Sequence, residues 1–322
     1  MDATKNANPT RAKDIEKQKK RTRFKRDLKR YIPLYIAFAP ILVYYIVMRY
    51  MPIFLQFPLA LTKFRLADGI WGSAWVGLSN FTRLFASYDF RGVLFNTLRL
   101  FGLSLLVGFL PPIFLAIMLH DMQSRKIARV CQTVLYVPHF FSWIIVYGIA
   151  WALFATGAGA INSLFRYFGM PPVDFLTNPN TFLPLILGTA LWKGIGWGTI
   201  IYLASLSSID HALYEAAIID GAGPLQRIRH VTFPQLKPIM VFVLTMNMGG
   251  VLNAGGEQVL VFLTPATYSV GDVLTTWIYQ RGVVRTDFSF ATAAGLFQSV
   301  IGLILVLTCN KLAKRYAGVG MW

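Results

Sequence analysis

The chain has 322 residues, of which 55% are hydrophobic and 15% aromatic, and this composition is too apolar for a soluble domain of the same length. Its net charge of +17 does not indicate a nucleic-acid-binding face, because 12 of its 31 Lys and Arg residues fall within residues 1–30. Its two Cys residues are too few for a disulfide framework or a Cys-type metal site. The composition therefore predicts a membrane protein.

The first 30 residues form a basic, polar segment with interleaved acidic residues. Such a segment is typical of a solvated cytoplasmic arm that lies beside anionic lipid headgroups. A cleaved signal peptide does not fit, because the apolar segment that follows continues past Arg49 and no small-residue cleavage site comes after it. The first apolar run is therefore predicted to remain as a membrane span.

Six apolar runs are long enough to cross a bilayer, for which a helix needs roughly 20 residues. They cover approximately residues 33–57, 93–119, 132–155, 183–204, 239–262 and 291–310. With the N-terminus inside, 21 Lys and Arg residues fall in cytoplasmic segments and seven in outer segments, as the positive-inside rule requires. The sequence therefore predicts an all-α polytopic membrane protein with about six transmembrane helices and both termini in the cytoplasm.

These runs divide the chain into four parts. They are a basic cytoplasmic tail (1–30), a first transmembrane helix with its outer segment (31–92), five transmembrane helices with a polar loop at 205–238 (together 93–312), and a C-terminal cytoplasmic tail (313–322). The polar loop separates the fourth run from the fifth and is predicted on the cytoplasmic side.

The fourth run carries polar and aromatic residues inside the membrane. Gly194 and Gly198 are spaced so that another helix can approach closely, and packing is their favoured role. A charge in a span is costly, so Lys193 either faces a partner or cavity or extends its ammonium group to the interface, and the two are equally favoured. Trp197 offers an aromatic face that could contact a solute, with helix packing as the equal alternative.

The polar loop between the fourth and fifth runs predicts a pair of short helices. Residues 214–219 indicate one helix, Gly221 permits the positive φ of a turn, and Pro224 suits the first position of a second helix. The expected structure is a helix-turn-helix projection on one face of the membrane.

The fifth run is too rich in Gly and amide residues for a lipid-facing helix, and we expect it to line a wet cavity or to bind a partner helix. Polar and aromatic residues in the fourth and fifth runs could line a path for a polar solute. The candidates are Lys193, Trp197, Asn247, Asn253 and Glu257. Lys193 also slightly favours an acidic solute over a neutral one, although it could pair with Glu257 instead.

The polar loop resembles the EAA loop of binding-protein-dependent ABC importer permeases. The residues that match are Glu215, Ala216, Ala217, Asp220, Gly221, Ala222 and Pro234, while Val231 and Phe233 stand where Ile and Leu are usual. The segment from Asn253 to Gln258 resembles a signature of the carbohydrate-uptake branch, with Gly256 in place of the usual Phe. The resemblance covers roughly residues 70–322.

This resemblance implies a type I ABC importer permease fold in a bacterial inner membrane, and ATP-driven import of an oligosaccharide or polysaccharide. The implied partners are a second permease subunit, two ATPase subunits that carry ATP and Mg²⁺, and an extracytoplasmic solute-binding protein. The residues implied in coupling to the ATPase are Glu215, Ala216, Ala217, Asp220, Gly221 and Pro234. Glu215 is expected to meet a basic group on the ATPase, and Gly221 to hold the turn.

Other functions are weaker fits. The chain has no phosphate-binding motif of the G-x-x-x-x-G-K-S/T type, and its four His residues are scattered without an H-E-x-x-H pair, so no catalytic or metal site is expected. An ion-coupled secondary transporter is the main alternative, with Lys193 and Glu257 as the charged pair. A passive scaffold does not account for the polarity of the fifth run.

Overall fold

The computed structural model describes residues 31–318, so the basic tail and the last four residues lie outside the described part of the chain. Helices make up nearly all of the regular structure there, which confirms the predicted all-α class. They are α1 (Tyr31–Leu61), α2 (Gly69–Gly72), α3 (Ser79–Ala86), α4 (Phe90–His120), α5 (Arg125–Tyr136), α6 (Trp143–Phe154), α7 (Ala160–Tyr167), α8 (Pro179–Ser207), α9 (His211–Ile219), α10 (Pro224–Arg227), α11 (Phe233–Met248), α12 (Gly256–Phe262), α13 (Tyr268–Gly271), α14 (Leu274–Tyr279) and α15 (Phe288–Ala317).

The chain divides into two compact units after Pro58, of which the structure describes residues 31–58 and residues 59–318. Most of α1 lies in the first unit, and no residue in its most apolar 18-residue window is buried inside the protein. A helix that is apolar on every side yet exposed is typical of a segment surrounded by lipid.

Within the second unit, strands β1 (Thr62–Arg65) and β2 (Ser73–Trp75) form a short antiparallel hairpin, with Thr62 opposite Trp75. The buried side chain of Asn80 in α3 fixes this hairpin, because its Nδ2 donates a hydrogen bond to the Thr62 carbonyl at 3.0 Å. The segment that follows α1 is therefore ordered by local polar contacts.

Within residues 31–318, three helices are both long and apolar enough to cross a membrane: α1, α4 and residues Phe288–Arg315 of α15. They coincide with the first, second and sixth predicted runs. The fourth run lies in α8, whose 29 residues exceed the roughly 20 that a span requires. The third and fifth runs are each interrupted.

The third run, 132–155, is wrong as a single straight helix. Residues Arg125–Phe140 and α6 meet at an angle of 104°, and the two count as a fourth span if they are taken together. The chain tightens into a 3₁₀ turn around Pro138, which has no N–H to donate to a continuing helix. Ser142 then begins α6, because its Oγ accepts a hydrogen bond from the Ile145 N–H at 3.3 Å. We call residues 137–142 the elbow.

The fifth run, 239–262, is wrong as a continuous helix. Helix α11 ends before Gly249, and α12 begins only after a series of turns. Ala254 and Gly255 have φ values of +35° and +65°, a left-handed conformation that cannot continue a right-handed helix. We call residues 249–255 the break.

Helices α4, α8 and α11 share one buried apolar cluster, which includes Ile113, Tyr202, Leu206 and Leu236. Glycine residues allow neighbouring helices to approach α8 closely. The sequence predicts that Gly194 and Gly198 do this together, but only Gly198 lies at a close contact. A Cβ on Gly198 would lie 3.1 Å from Cγ of Pro112 in α4, whereas a Cβ on Gly194 would meet nothing within 4 Å.

The closest approach is made by Gly196. A Cβ at this position would lie 2.1 Å from the carbonyl oxygen of Leu135 in α5. Because that oxygen belongs to the backbone of the segment that leads into the elbow, it cannot move away as a flexible side chain would. The missing side chain of Gly196 therefore sets the position of the elbow against α8.

We expect Gly196→Ala to destabilise the protein by about 1–3 kcal/mol, the usual cost of overpacking a close contact. Gly194→Ala is the matched control, since it adds the same methyl group to the same helix in open space. Thermal unfolding of the purified protein in detergent measures both variants. Equal melting temperatures for the two variants would contradict the close approach.

Candidate functional site

A helix-turn-helix projection follows α8, as the sequence predicts. Helix α9 begins at His211 because Asp210 caps it, its carboxylate accepting a hydrogen bond from the Ala212 N–H at 3.0 Å. Gly221 has a φ of +77°, which reverses the chain at low cost only because glycine has no Cβ. Pro224 is the first residue of α10. We call residues 211–227 the helix pair.

The inner side of the helix pair is fixed to the membrane helices. The Tyr214 hydroxyl lies 3.1 Å from Oγ1 of Thr232, which is buried just before α11. The Tyr214 ring also lies 6.5 Å from the ring of His120 at the end of α4. Movement of the helix pair would therefore displace Tyr214 and, through its two contacts, both α4 and the start of α11.

The outer side of the helix pair carries the predicted coupling residues. Glu215, Ala216, Asp220 and Gly221 are exposed, and Ala217 is half-buried. Pro234 is also exposed and lies in the first turn of α11, beyond the π-helical turn that follows α10.

Large apolar side chains surround these residues. Ile219 is 85% exposed and Leu225 is 78% exposed, and Ile218 is exposed beside them. Apolar side chains clustered on an exposed projection are typical of a protein-binding surface.

Lys193 and Trp197 both contact the elbow. The Lys193 Nζ donates a hydrogen bond to the carbonyl oxygen of His139 at 2.5 Å and lies 5.4 Å from the centre of the Trp143 ring. The Trp197 ring stacks on the imidazole of His139, with ring centres 4.2 Å apart and planes 3° from parallel.

His139 was missed as a site residue by the sequence analysis, which treated the four His residues only as metal ligands or catalytic groups. Its position directly after Pro138, within an apolar run, is the available signal, because a proline in a span marks a place where side chains can reach the backbone.

The break is held by amide side chains. Gln298 of α15 donates from Nε2 to the carbonyl of Leu252 at 3.0 Å and to Oδ1 of Asn253 at 2.7 Å. Gln258 of α12 is buried, and its Nε2 donates to the carbonyl of Ile186 in α8 at 2.8 Å. Asn253 therefore takes part in helix packing through Oδ1, while its Nδ2 donates no hydrogen bond to any residue within 31–318.

Asn247 and Glu257 are exposed on either side of the break. Across residues 31–318, no hydrogen bond, ion pair or ring contact joins Lys193 or Trp197 to Asn247, Asn253 or Glu257. In this part of the chain the Lys193 ammonium group is bound to the elbow and forms no ion pair with Glu257. In the same described part of the chain, no group of three His, Cys, Asp or Glu residues could hold a metal ion.

Comparisons with known proteins identify the family of this chain. The family described as "Binding-protein-dependent transport system inner membrane component" matches residues 108–317. Two relatives from Bacillus subtilis (strain 168) align along nearly the whole chain. The polygalacturonan/rhamnogalacturonan transport system permease protein YteP is 37% identical over 308 residues, 96% of each chain, and protein LplB is 37% identical over 295 residues, 92% of each chain.

A solved structure has the same fold at similar identity. It is a bacterial alginate ABC transporter in complex with an alginate pentasaccharide-bound periplasmic protein, and one of its chains is 34% identical with a TM-score of 0.84. The alignment covers 92% of this chain and 99% of that one. The chain therefore belongs to the family of binding-protein-dependent transport system inner membrane components, and it is a permease subunit of a sugar or polysaccharide ABC importer with the type I fold.

Proposed function

We propose that the helix pair couples this permease to separate ATPase subunits and that the imported substrate is an acidic oligosaccharide. The observation that carries the coupling is the exposed apolar surface around Glu215. Ile219 and Leu225 can bury apolar area in a groove of an ATPase subunit, and Glu215 can meet a basic group at its edge.

The proposed assembly has this chain and a second permease subunit side by side, two ATPase subunits below, and an extracytoplasmic solute-binding protein above. The helix pair and both termini face the cytoplasm, which agrees with the distribution of basic residues. ATP and Mg²⁺ bind to the ATPase subunits. Closure of the ATPase dimer moves the helix pairs together, and the contacts of Tyr214 pass this movement to the membrane helices.

Two relatives support the acidic character of the substrate. YteP is named for polygalacturonan and rhamnogalacturonan, and the transporter with the matching fold imports alginate, an acidic polysaccharide. The high coverage of both alignments makes these the best available guides to the substrate class.

Trp197 is the strongest candidate for contact with the sugar inside the membrane. It is 50% exposed, and its stacking on His139 holds the indole in one orientation. A fixed aromatic face can pack against the C–H patch of a sugar ring. We propose that Asn247, Asn253 and Glu257 supply polar contacts along the same path, whereas Lys193 holds the elbow.

The contacts of Lys193 argue against the alternative of an ion-coupled secondary transporter. It required Lys193 and Glu257 to act as a charged pair, and the Lys193 ammonium group is instead bound to the His139 carbonyl. A carrier of that kind also has no use for an apolar projection such as the helix pair.

Replacing Gly221 by Val should separate ATP hydrolysis from transport, because a β-branched side chain strains a positive φ by roughly 1–2 kcal/mol or more. Gly223→Val is the matched control, since Gly223 has a φ of −68° and its Cβ would only touch the Gln226 side chain at 3.8 Å. The measurement is saccharide-stimulated ATPase activity and uptake by the full complex in proteoliposomes. Normal coupling in Gly221→Val would contradict the assignment.

Trp197→Ala should raise the KM for uptake roughly two- to tenfold, the effect of losing an aromatic contact of about 0.5–1.5 kcal/mol. Trp192→Ala is the control, because Trp192 lies on the same helix, is also exposed, and contacts Phe141 rather than His139. Concentration dependence of uptake in proteoliposomes separates KM from the maximal rate. If the KM rose in Trp192→Ala and not in Trp197→Ala, the substrate path would lie along the face of α8 that carries Trp192.

Lys193→Gln should lower stability without changing the preference between acidic and neutral saccharides. The substitution removes a charged donor from a backbone carbonyl, an interaction that contributes about 1.5–3 kcal/mol. The melting temperature and the ratio of uptake rates for a uronate trisaccharide and its methyl ester report the two effects. If Lys193→Gln lost uptake of the uronate but kept uptake of the ester and its melting temperature, Lys193 would instead be a substrate contact.

A further inference from the structure

Two neighbouring clefts open at the end of the protein opposite the helix pair. The first has a volume of about 510 Å³ and lies between the start of α4 and the segment from α13 to the turn before α15. The second has a volume of about 490 Å³ and lies between that turn, the β-hairpin and α3. Both volumes are in the range of sites that bind small molecules. Arg285 lines both clefts and therefore lies where they meet.

Each cleft contains one ion pair that joins distant parts of the chain. In the first, Nη2 of Arg281 lies 3.3 Å from Oδ2 of Asp89, and in the second, Nη2 of Arg83 lies 2.8 Å from Oδ2 of Asp287. These two arginines are thus neutralised by partners within the protein.

Arg285 differs from them. Its side chain is exposed and, among the residues that the structure describes, makes no ion pair or hydrogen bond. A guanidinium group with five donors is therefore left available at the junction of the two clefts.

The backbone beside Arg285 is strained. Thr286 has a φ of +57°, which is unusual for a β-branched residue. The turn is held on both sides, since the Arg285 N–H donates to the Gln280 carbonyl at 3.0 Å and the Asp287 N–H donates to the Arg281 carbonyl at 3.0 Å. Strain of this kind persists where the surrounding contacts fix it and is concentrated at functional sites. Here the strained residue directly follows Arg285, in the turn that lines both clefts.

The clefts also carry exposed aromatic side chains. They are Tyr88, which is 98% exposed, and Tyr268 in the first cleft, and Phe288 in the second. Gln280 donates from Nε2 to the Tyr268 hydroxyl at 2.8 Å, which holds that ring in place. Aromatic faces beside planar polar groups suit the apolar faces and hydroxyl edges of linked sugar rings.

We propose that the two clefts form one outer groove for consecutive units of an acidic oligosaccharide, in which Arg285 binds a uronate carboxylate. Guanidinium and carboxylate match in a bidentate geometry, and Arg285 is the one arginine of the two clefts with no internal carboxylate partner in the described structure. The groove is separate from the Trp197 site, because it lies at the end of α4 that is farthest from the helix pair. The inference rests on the proposed saccharide import and adds a first contact for the substrate outside the membrane.

The test measures binding of trigalacturonate and of its neutral trimethyl ester to the purified permease–ATPase complex without the solute-binding protein. Calorimetry with wild-type complex should show tighter binding of the acid than of the ester. In Arg285→Gln the affinity for the acid should fall at least tenfold while the affinity for the ester changes by less than twofold, and Arg285→Lys should retain part of the preference.

Arg91→Gln is the matched control. It removes the same charge near the same end of the protein, from an exposed residue of α4 that lines neither cleft, and should leave both affinities unchanged. The groove is ruled out if wild type does not bind trigalacturonate, if Arg285→Gln affects acid and ester equally, or if Arg91→Gln has the same effect as Arg285→Gln.

Uptake by the full complex with its solute-binding protein separates this inference from the proposed function. Normal uronate uptake together with unchanged trigalacturonate binding in Arg285→Gln overturns the groove alone. Absence of saccharide-stimulated ATPase activity and uptake in wild type overturns the proposed import, and the groove with it.

Discussion

The hydrocarbon core of a membrane offers no water to backbone N–H and C=O groups, so every interruption of a spanning helix must be satisfied by other parts of the protein. This chain interrupts two of its apolar runs, at the elbow and at the break. At the elbow, Lys193 donates to the carbonyl of His139, and at the break, Gln298 donates to the carbonyl of Leu252. Of the polar residues proposed from the sequence as substrate ligands, Lys193 is therefore bound to the backbone, whereas Asn247 and Glu257 are exposed.

The same constraint explains why helix packing and the candidate path are linked. Gly196 allows the backbone of Leu135 to approach α8, and this approach brings the elbow within reach of Lys193 and Trp197. His139 then contributes its carbonyl to one neighbour and its ring to the other. A change in the elbow would consequently alter the orientation of the most exposed aromatic face on α8.

The two ends of the protein have different chemistry. The helix pair presents apolar side chains around the carboxylates of Glu215 and Asp220 and contacts α4 and the start of α11 through Tyr214. The opposite end presents arginine and aromatic side chains around two clefts. An apolar surface suits a permanent protein partner, whereas clefts that hold an exposed arginine suit a ligand that binds and leaves.

The sequence by itself determined the features that depend on a few neighbouring residues or on partition into lipid. The apolar runs predict a polytopic all-α protein, and the turn at Gly221 with the helix start at Pro224 follows from the allowed φ values of glycine and proline. Tertiary structure alone decided which polar side chains reach which backbone groups. Lys193 and His139 are 54 residues apart, Gln298 and Leu252 are 46 apart, and the clefts around Arg285 combine several segments. Such contacts depend on how helices pack, and neither hydrophobicity nor local backbone preference specifies that arrangement.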